Sequence, residues 1–522
     1  MQRAESRSDA TIAAILLEAE RQAGERPGLY VGQHVLTFRQ IADRSRQMAG
    51  YLANRGVRRG DRVALLLPNG VAFVTAHYAL ALLGAVIVPI NPQIGAHFVS
   101  YVLEKAGALY LIGTEPLVRA LPDCERMVGG RVTFVVVKED GESLWLRQAW
   151  PRADRSWIAL DQLAPLSAAP ECAADDPALL FFTSGTTGRP KGVLLSQAQV
   201  LFGVDAWANR WSFDEETISL MAAPFFHVVY NPLVLGAHRR QGASVVQTDV
   251  SIRAVTVAVE RYRVTALMGT PAFMRQLASE RWAARNDLSS LGRIIYGAAP
   301  TPPAVVRSLG EQFPRAARYN CYGMTETSSA LTCLAADETP GREASVGRAH
   351  PGVRLRIVDA DGHELPTGER GEVCALGPNV ITGYFEAPEI DAQRFFGSWL
   401  RTGDVGYLDQ QGYLYLLDRV DDQINIDGEK FYPCQIEEVL ASDPSVSEAV
   451  AIGVSHARKG QAVHAFVVAE VNRDVDVEVL RRRCLEQLPA CAVPRRIMVL
   501  DQIPRNPTGK VLRRELASMP EP

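Results

Sequence analysis

The sequence predicts an α/β protein: a large N-terminal domain of α/β subdomains plus a β-rich subdomain, followed by a small α+β C-terminal domain. Three observations predict it. From about Thr37 to Gly269, apolar strand-like runs alternate with helical patterns, the mark of a largely parallel sheet. After about Gly347 the style changes to short alternating strands joined by Gly/Pro turns. From Asp421 the chain starts again with its own helix, strand and helix signals. The tail this leaves, about a hundred residues, is an ordinary domain size, so the domains are placed at 1–420 and 421–522.

In the first region the strand-like runs are Val63 to Leu67, Val86 to Pro89, Tyr110 to Ile112, Thr133 to Val137, Ser219 to Ala222, Ser244 to Gln247 and Ala266 to Met268. A helix is expected from Val71 to Leu83. The stretch from Ala72 to Ile90 carries no formal charge, which raises membrane insertion as a question. It holds Thr75, His77 and Tyr78, is interrupted by Gly84, and turns β-branched at Val86 to Val88 before Pro89. A spanning helix needs about 20 apolar residues in a row; a buried helix, a glycine stop and a short buried strand fit better. In the β-rich region Val353 to Asp359 alternates, turns follow at Asp361-Gly362 and Pro366 to Glu369, and Gly371 to Leu376 reads as a strand. In the C-terminal domain Ile436 to Leu440 and Val477 to Gln487 read as helices, the latter basic on one side. Val446 to Val454 and Ala465 to Glu470 read as strands.

Composition excludes several classes. Apolar residues at 47% and charged residues at 22% fit a packed globular chain. A net charge of -4 gives no strong field for nucleic acid or an anionic membrane. The cysteines form no C-x-x-C pair and there is no H-E-x-x-H, so neither a disulfide framework nor a zinc site is expected. Met1 to Ala10 lacks the apolar core of a signal peptide. A cytoplasmic location is the expectation.

Thr183 to Gly192, after the strand-like Leu179 to Phe182, packs four hydroxyls, three glycines and two cations into ten residues. Glycine lets backbone N–H groups approach an anion, and hydroxyls and a lysine add donors and charge. Such a loop suits a polyphosphate, although a solvated turn has the same composition. A P-loop is excluded by spacing: Arg189-Pro190 follows Gly188, and Gly192 follows Lys191.

Five further stretches matter together. Ala223 to Val228 sets His227 beside aromatics; alone it reads as a packed core histidine. Ile294 to Pro300 is a strand ending in small residues, or simply a tight turn. Tyr319 to Thr327 contains Tyr-Gly-Met-Thr-Glu-Thr, which could merely cap a helix. Trp399 to Asp404 ends in a Gly-Asp turn pair, with Arg419 downstream. Pro504 to Val511 sets Lys510 in a Gly/Pro loop where lysines are ordinarily solvated. In this order, with the loop at Thr183, they resemble the signatures of the adenylate-forming superfamily: acyl-CoA synthetases, beetle luciferases and peptide-synthetase adenylation domains. The likeness runs from Thr37-Phe38 to Lys510.

The resemblance implies a reaction and a residue set. Thr183, Ser184, Gly185, Thr186, Thr187 and Lys191 would hold the ATP phosphates. Gly297, Ala298 and Ala299 would lie against adenine and Tyr322 would stack on it. Thr325 would touch the α-phosphate, Glu326 would hold Mg²⁺, and Asp404 and Arg419 would bind the ribose. Lys510 would bridge the carboxylate and α-phosphate. His227 would wall the acid pocket, which by position includes Phe226, Tyr230, Met268, Gly269, Ala299 and Gly323; the two glycines would leave room for a bulky group. The C-terminal domain would be mobile, with Asp421 as hinge and Gly428 lining a CoA channel in the second pose.

The implied activity is activation of a hydrophobic carboxylic acid as acyl-AMP, with release of pyrophosphate, then transfer to the thiol of CoA. The alternatives are transfer to an acyl carrier protein or partner enzyme, luciferase-like oxidation, and a nonenzymatic nucleotide binder. The last is disfavoured because Lys510, Glu326 and Asp404 are all present. No Asp stands between Pro224 and Leu233 to grip a substrate amine, as amino-acid adenylation requires. Three positions depart from the family pattern: Asp418 for Gly, Gln435 for Glu and Gln461 for Glu. The two glutamines lie on the thiol side and leave the acceptor open.

Overall fold

The computed structural model describes residues 11–121, 131–140, 143–150, 156–183, 190–278, 282, 285–299, 301–422, 424–426, 429–456, 460–470, 473–505 and 511–519. They form two compact units. One runs to Arg354 and takes in Ala375–Leu400; the other comprises Leu355–Cys374 and the chain from Arg401 onward. Asp421, the expected domain start, falls inside the second unit.

The first unit is built on two mainly parallel sheets. Among the described residues the larger has nine strands, ordered Arg348–Ala349, Thr332–Leu334, Ala317–Tyr322, Arg293–Gly297, Ala266–Gly269, Ile218–Met221, Ala243–Val245, Pro27–Val31 and His34–Thr37. The other has eight: Lys191–Ser196, Pro177–Thr183, Val86–Pro89, Arg62–Leu66, Tyr110–Thr114, Thr133–Asp140, Ser143–Trp150 and Ile158–Ala159. Central pairs are parallel and the margins antiparallel.

Alternation along each strand sends neighbours to opposite faces. Val63 and Leu65 join a core shared by both sheets, to which Met221, Met268 and Ile295 also belong. Ala64 and Leu66 join a separate cluster with Val99, Val102 and Leu103 of helix Ala96–Ala106. Leu220, Leu267 and Ile294 pack with Val255 and Val259 of helix Ile252–Tyr262. Coverage on both faces explains why these strands read as near-continuous apolar runs.

Helix Val71–Leu82 lies in the shared core with every residue buried, which accounts for its lack of a polar stripe. Gly70 offers no side-chain cap. Instead the Glu139 carboxylate, from strand Thr133–Asp140, accepts the Val71 and Ala72 N–H groups at 3.0 Å each, where the helix dipole favours an anion. Gly84, at φ +63, makes the stop before Val86–Pro89. Among the described residues no helix is long and apolar enough to cross a membrane.

In the β-rich region Gly371–Leu376 lies between Arg354–Val358 and Trp399–Leu408, and Leu414–Arg419 pairs antiparallel with Trp399–Leu408. Farther along, Gly460–Ala469 is central to a second sheet, flanked by Val446–His456, Ile424–Ile426 and Arg496–Leu500. Helices Pro433–Ala441 and Val477–Gln487 bury Ile436, Leu440, Leu480 and Cys484 with Val463, Ala465 and Val467. The alternate residue Phe466 packs with Ile503 and with Leu516, the latter from helix Arg513–Ala517.

Candidate active site

Pro177–Thr183 and Lys191–Ser196 are antiparallel partners, and Thr183 stands opposite Lys191. The segment holding Ser184, Gly185, Thr186 and Thr187 lies outside the described residues. It joins two paired strands, whereas a P-loop runs from strand into helix. The return is tied down on both sides: the Tyr101 hydroxyl donates to the Pro190 carbonyl (3.1 Å) and the Phe385 N–H to the Gly192 carbonyl (2.9 Å).

Thr325–Thr327 forms a single 3₁₀ turn after strand Ala317–Tyr322. Glu326 in this turn is buried, and the Tyr384 hydroxyl donates to its Oε1 at 2.8 Å. The Lys191 ammonium sits 5.7 Å from the centre of the same Tyr384 ring. Burial, and then the Glu326 carboxylate, push the Tyr384 phenol well above its ordinary pKa, so it stays a neutral donor. The Ile381 N–H donates to the Glu326 carbonyl at 2.9 Å. The Asn379 amide donates to the carbonyls of Thr327 (2.7 Å) and Ala330 (2.6 Å). Residues 379–385 thus fasten the Thr-Glu-Thr turn to the strand that begins at Lys191, and the Lys191 ammonium and the buried Glu326 carboxylate share one aromatic neighbour.

Strain gathers at the expected nucleotide corner. Ala298 takes φ +67, and Ser328 and Ser329 take φ +47 and +63, a region that side chains with a Cβ enter at a cost of about 1–3 kcal/mol. Ala298 is exposed. Gly297 lies so close to the next strand that a Cβ there would come within 2.2 Å of the Cys321 carbonyl oxygen. At Gly323 a Cβ would stand 2.0 Å from the Ser329 carbonyl oxygen, and at Gly269 2.8 Å from the Phe273 ring. Neighbouring backbone and ring atoms, not open space, demand these glycines. Ala299 and Tyr322 are half-buried at the ends of adjacent strands.

His227 is half-buried, its ring 4.4 Å from that of Phe226. Its Nε2 is shut off from solvent and has no hydrogen-bond partner among the described residues. Burial lowers its pKa to about 4, so the imidazole is neutral near pH 7. Met268 lines up with Met221 across the sheet and is buried. Tyr230 is enclosed by Phe73, His77 and Phe225, with ring centres 5.0–5.2 Å away, and is only 1% exposed.

In the second unit Asp404 and Arg419 face each other across antiparallel strands and form an ion pair at 2.9 Å. Asp418 accepts the Arg419 N–H (2.8 Å) and, with its other oxygen, the Cys434 N–H (3.1 Å). It therefore supplies an anion to the first turn of helix Pro433–Ala441. Gln435 accepts the Tyr432 N–H at 3.2 Å in a capping box, a task Glu and Gln perform alike. That departure from the family pattern is locally neutral. Asp421 lies in the short 3₁₀ turn Val420–Asp422. Gly428 and Lys510 lie outside the described residues; next to Lys510, Val511 bridges to Arg505.

The model of the AMP-binding enzyme family matches residues 16–385, and that of the AMP-binding enzyme C-terminal domain matches 435–510. The chain belongs to the AMP-binding enzyme family. Among its relatives is a fatty acid–[acyl-carrier-protein] ligase of Streptomyces coeruleorubidus, 32% identical over 94% of this chain and 92% of the relative. A long-chain-fatty-acid–CoA ligase of Mycobacterium tuberculosis is 31% identical over 92% of each chain. Among solved structures, o-succinylbenzoate CoA synthetase of Bacillus subtilis, in complex with its acyl-adenylate intermediate, has a TM-score of 0.81 at 28% identity, covering 97% of this chain and 98% of that one. Within this AMP-binding enzyme, Lys510 is the last residue matched by the C-terminal model, and Asp404, Arg419 and Asp421 lie between the two matches.

Sequence reasoning missed Tyr384 and Asn69. The amide of Asn69 donates to the Ala223 carbonyl at 3.0 Å and accepts the Phe225 N–H at 2.7 Å. Gly383-Tyr384 and Pro68-Asn69 are unremarked loop pairs in the sequence; their partners lie 58 and about 155 positions away.

Proposed function

We propose that this AMP-forming acid–thiol ligase activates a hydrophobic carboxylic acid with ATP and passes the acyl group to the thiol of CoA. Its ligase class follows from its family. The observation that carries the site reading is the grouping of Lys191, Tyr384 and Glu326 around the return of the phosphate loop. Glu326 fits Mg²⁺: it is a buried, hard oxygen donor whose Oε1 is held by a neutral phenol. Mg²⁺ bound there would offset phosphate charge. Lys191 and the loop hydroxyls would orient the triphosphate, Tyr322 and the Gly297–Ala299 corner the base, and Asp404 with Arg419 the ribose.

In the first half-reaction the substrate carboxylate attacks the α-phosphorus in line; the phosphoanhydride bond breaks and pyrophosphate leaves. Positioning and charge neutralisation are sufficient, and no protein nucleophile is needed. Lys510 would stabilise the charge shared by carboxylate and α-phosphate. In the second, a thiolate attacks the acyl carbon and AMP leaves. Neutral His227 and Phe226 would wall the acid, Asp421 would be the hinge of a mobile domain, and Gly428 would line the thiol path.

A carrier-protein acceptor is the second reading, favoured by the acyl-carrier-protein ligase among the relatives. Pyrophosphate release across a panel of fatty and aryl acids, with CoA or a phosphopantetheinylated carrier protein, tests both. The expected outcome is acid-dependent release plus an acyl-CoA product. Thioester on the carrier alone would replace the CoA reading, and no acid-dependent release would overturn adenylation.

A further inference from the structure

We propose that Asn69 is a positioning residue for the acid pocket, setting the Phe226–His227 wall and thereby the choice of acid; this rests on the function proposed above. Asn69 follows strand Arg62–Leu66 of the eight-stranded sheet. Everything it holds follows strands of the nine-stranded sheet. Its amide closes a ring with the Ala223 carbonyl (3.0 Å) and the Phe225 N–H (2.7 Å), just beyond strand Ile218–Met221. Its own carbonyl accepts the Thr248 hydroxyl at 3.1 Å, beyond strand Ala243–Val245. Asn69 is 7% exposed, so these bonds have little competition from water.

The amide is the group this place requires. The Phe225 N–H needs an acceptor and the Ala223 carbonyl a donor, and a carboxamide supplies both from one plane. The clamped tripeptide leads directly into the pocket wall. Phe226 and His227 follow at once, the His227 N–H returns to the Pro224 carbonyl (3.3 Å), and Tyr230 N–H continues the turn from the His227 carbonyl (3.0 Å). A shift of the clamp therefore moves Phe226 and His227. Among the described residues, the clamp's hydrogen bonds are separate from the Tyr384–Glu326 bond of the proposed ATP and Mg²⁺ site.

Asn69→Asp keeps the acceptor for Phe225 but sets a carboxylate oxygen against the Ala223 carbonyl. The test is steady-state pyrophosphate release by the full chain with octanoate, palmitate and benzoate. For Asn69→Asp the ratio of kcat/KM values between the best and second-best acid is expected to shift roughly tenfold, the scale of one lost buried hydrogen bond. The KM for ATP is expected to stay within about twofold. Equal losses for all acids, or a parallel rise in the KM for ATP, would overturn the proposal. In a Phe226→Ala background the Asn69→Asp shift should shrink to about twofold or less, because both act through one wall; a full, additive shift would count against it. Thr248→Val, which removes only the tether on the Asn69 carbonyl, should shift the ratio the same way by a smaller factor, and an unchanged ratio overturns the idea even if Asn69→Asp fails to fold. Absence of release by the unmodified chain with every acid would instead sink the adenylation reading, and this proposal with it.

Discussion

Tyr384 shows how much a single hydroxyl can organise. It donates to buried Glu326 and offers its ring to Lys191, so the carboxylate is oriented by a neutral phenol. Removing one hydrogen bond to a buried charged group costs about 1.5–3 kcal/mol. Tyr384→Phe should therefore lower kcat/KM for Mg-ATP in pyrophosphate release by roughly 10- to 100-fold, while the ring's contact with Lys191 persists. An unchanged Mg-ATP dependence would remove Glu326 from its assigned role. At this scale the residue types were visible in the sequence: the hydroxyls, the lysine and the Thr-Glu-Thr turn mark a candidate phosphate site. The partner of Glu326 was not, because a tyrosine 58 residues away carries no local mark of its bond.

At the scale of elements, helix Val71–Leu82 links packing to pH. His77 in this helix is 1% exposed, and neither ring nitrogen has a hydrogen-bond partner among the described residues. Burial lowers its pKa from 6.5 to about 3. His238, stacked on Tyr78 of the same helix and bonded to its hydroxyl at 2.8 Å, is lowered to about 4, again by burial. Both are neutral in the fold at neutral pH, whereas the unfolded chain protonates them near 6.5. The sign follows: the unfolded state binds more protons as pH falls, so stability is full above about pH 6.5 and declines towards pH 4. Thermal midpoints should fall over that window, and His77→Leu should flatten the decline and raise the midpoint at pH 5. A midpoint independent of pH between 7 and 5 would contradict this. The helix itself was readable from its apolar run and Gly84. Its cap was not, since Glu139 arrives from a strand 67 and 68 residues later.

At the scale of the whole molecule, the chain divides its proposed chemistry between two compact units. The first holds Lys191, Tyr384, Glu326 and the Gly297 corner, and the second holds Asp404, Arg419 and the segment with Lys510. Two half-reactions then have separate requirements. Lys510→Ala is expected to abolish acid-dependent pyrophosphate release, yet leave thioester formation from a supplied acyl-adenylate within about tenfold. Asp421→Pro is expected to do the reverse by stiffening the hinge. Equal loss in both half-reactions for either variant would refute the division of labour.

By itself the sequence determined the periodicities, the turns and the order of the motifs. These gave helix Val71–Leu82, strands such as Gly371–Leu376, and helix Val477–Gln487 with little error, because each depends on neighbours a few residues apart. It also excluded a P-loop, and the pairing of Thr183 with Lys191 agrees. Only the tertiary structure decided what the loops hold. Strand order brings Asn69 to Phe225 across 156 positions and Tyr384 to Glu326 across 58. Those bonds satisfy buried polar groups, so they are obligatory once the sheets form, but the partners are chosen by topology and not by local sequence. The same cause explains the glycines. Gly323 reads as room for a substrate, yet it is glycine because the Ser329 carbonyl already fills that space.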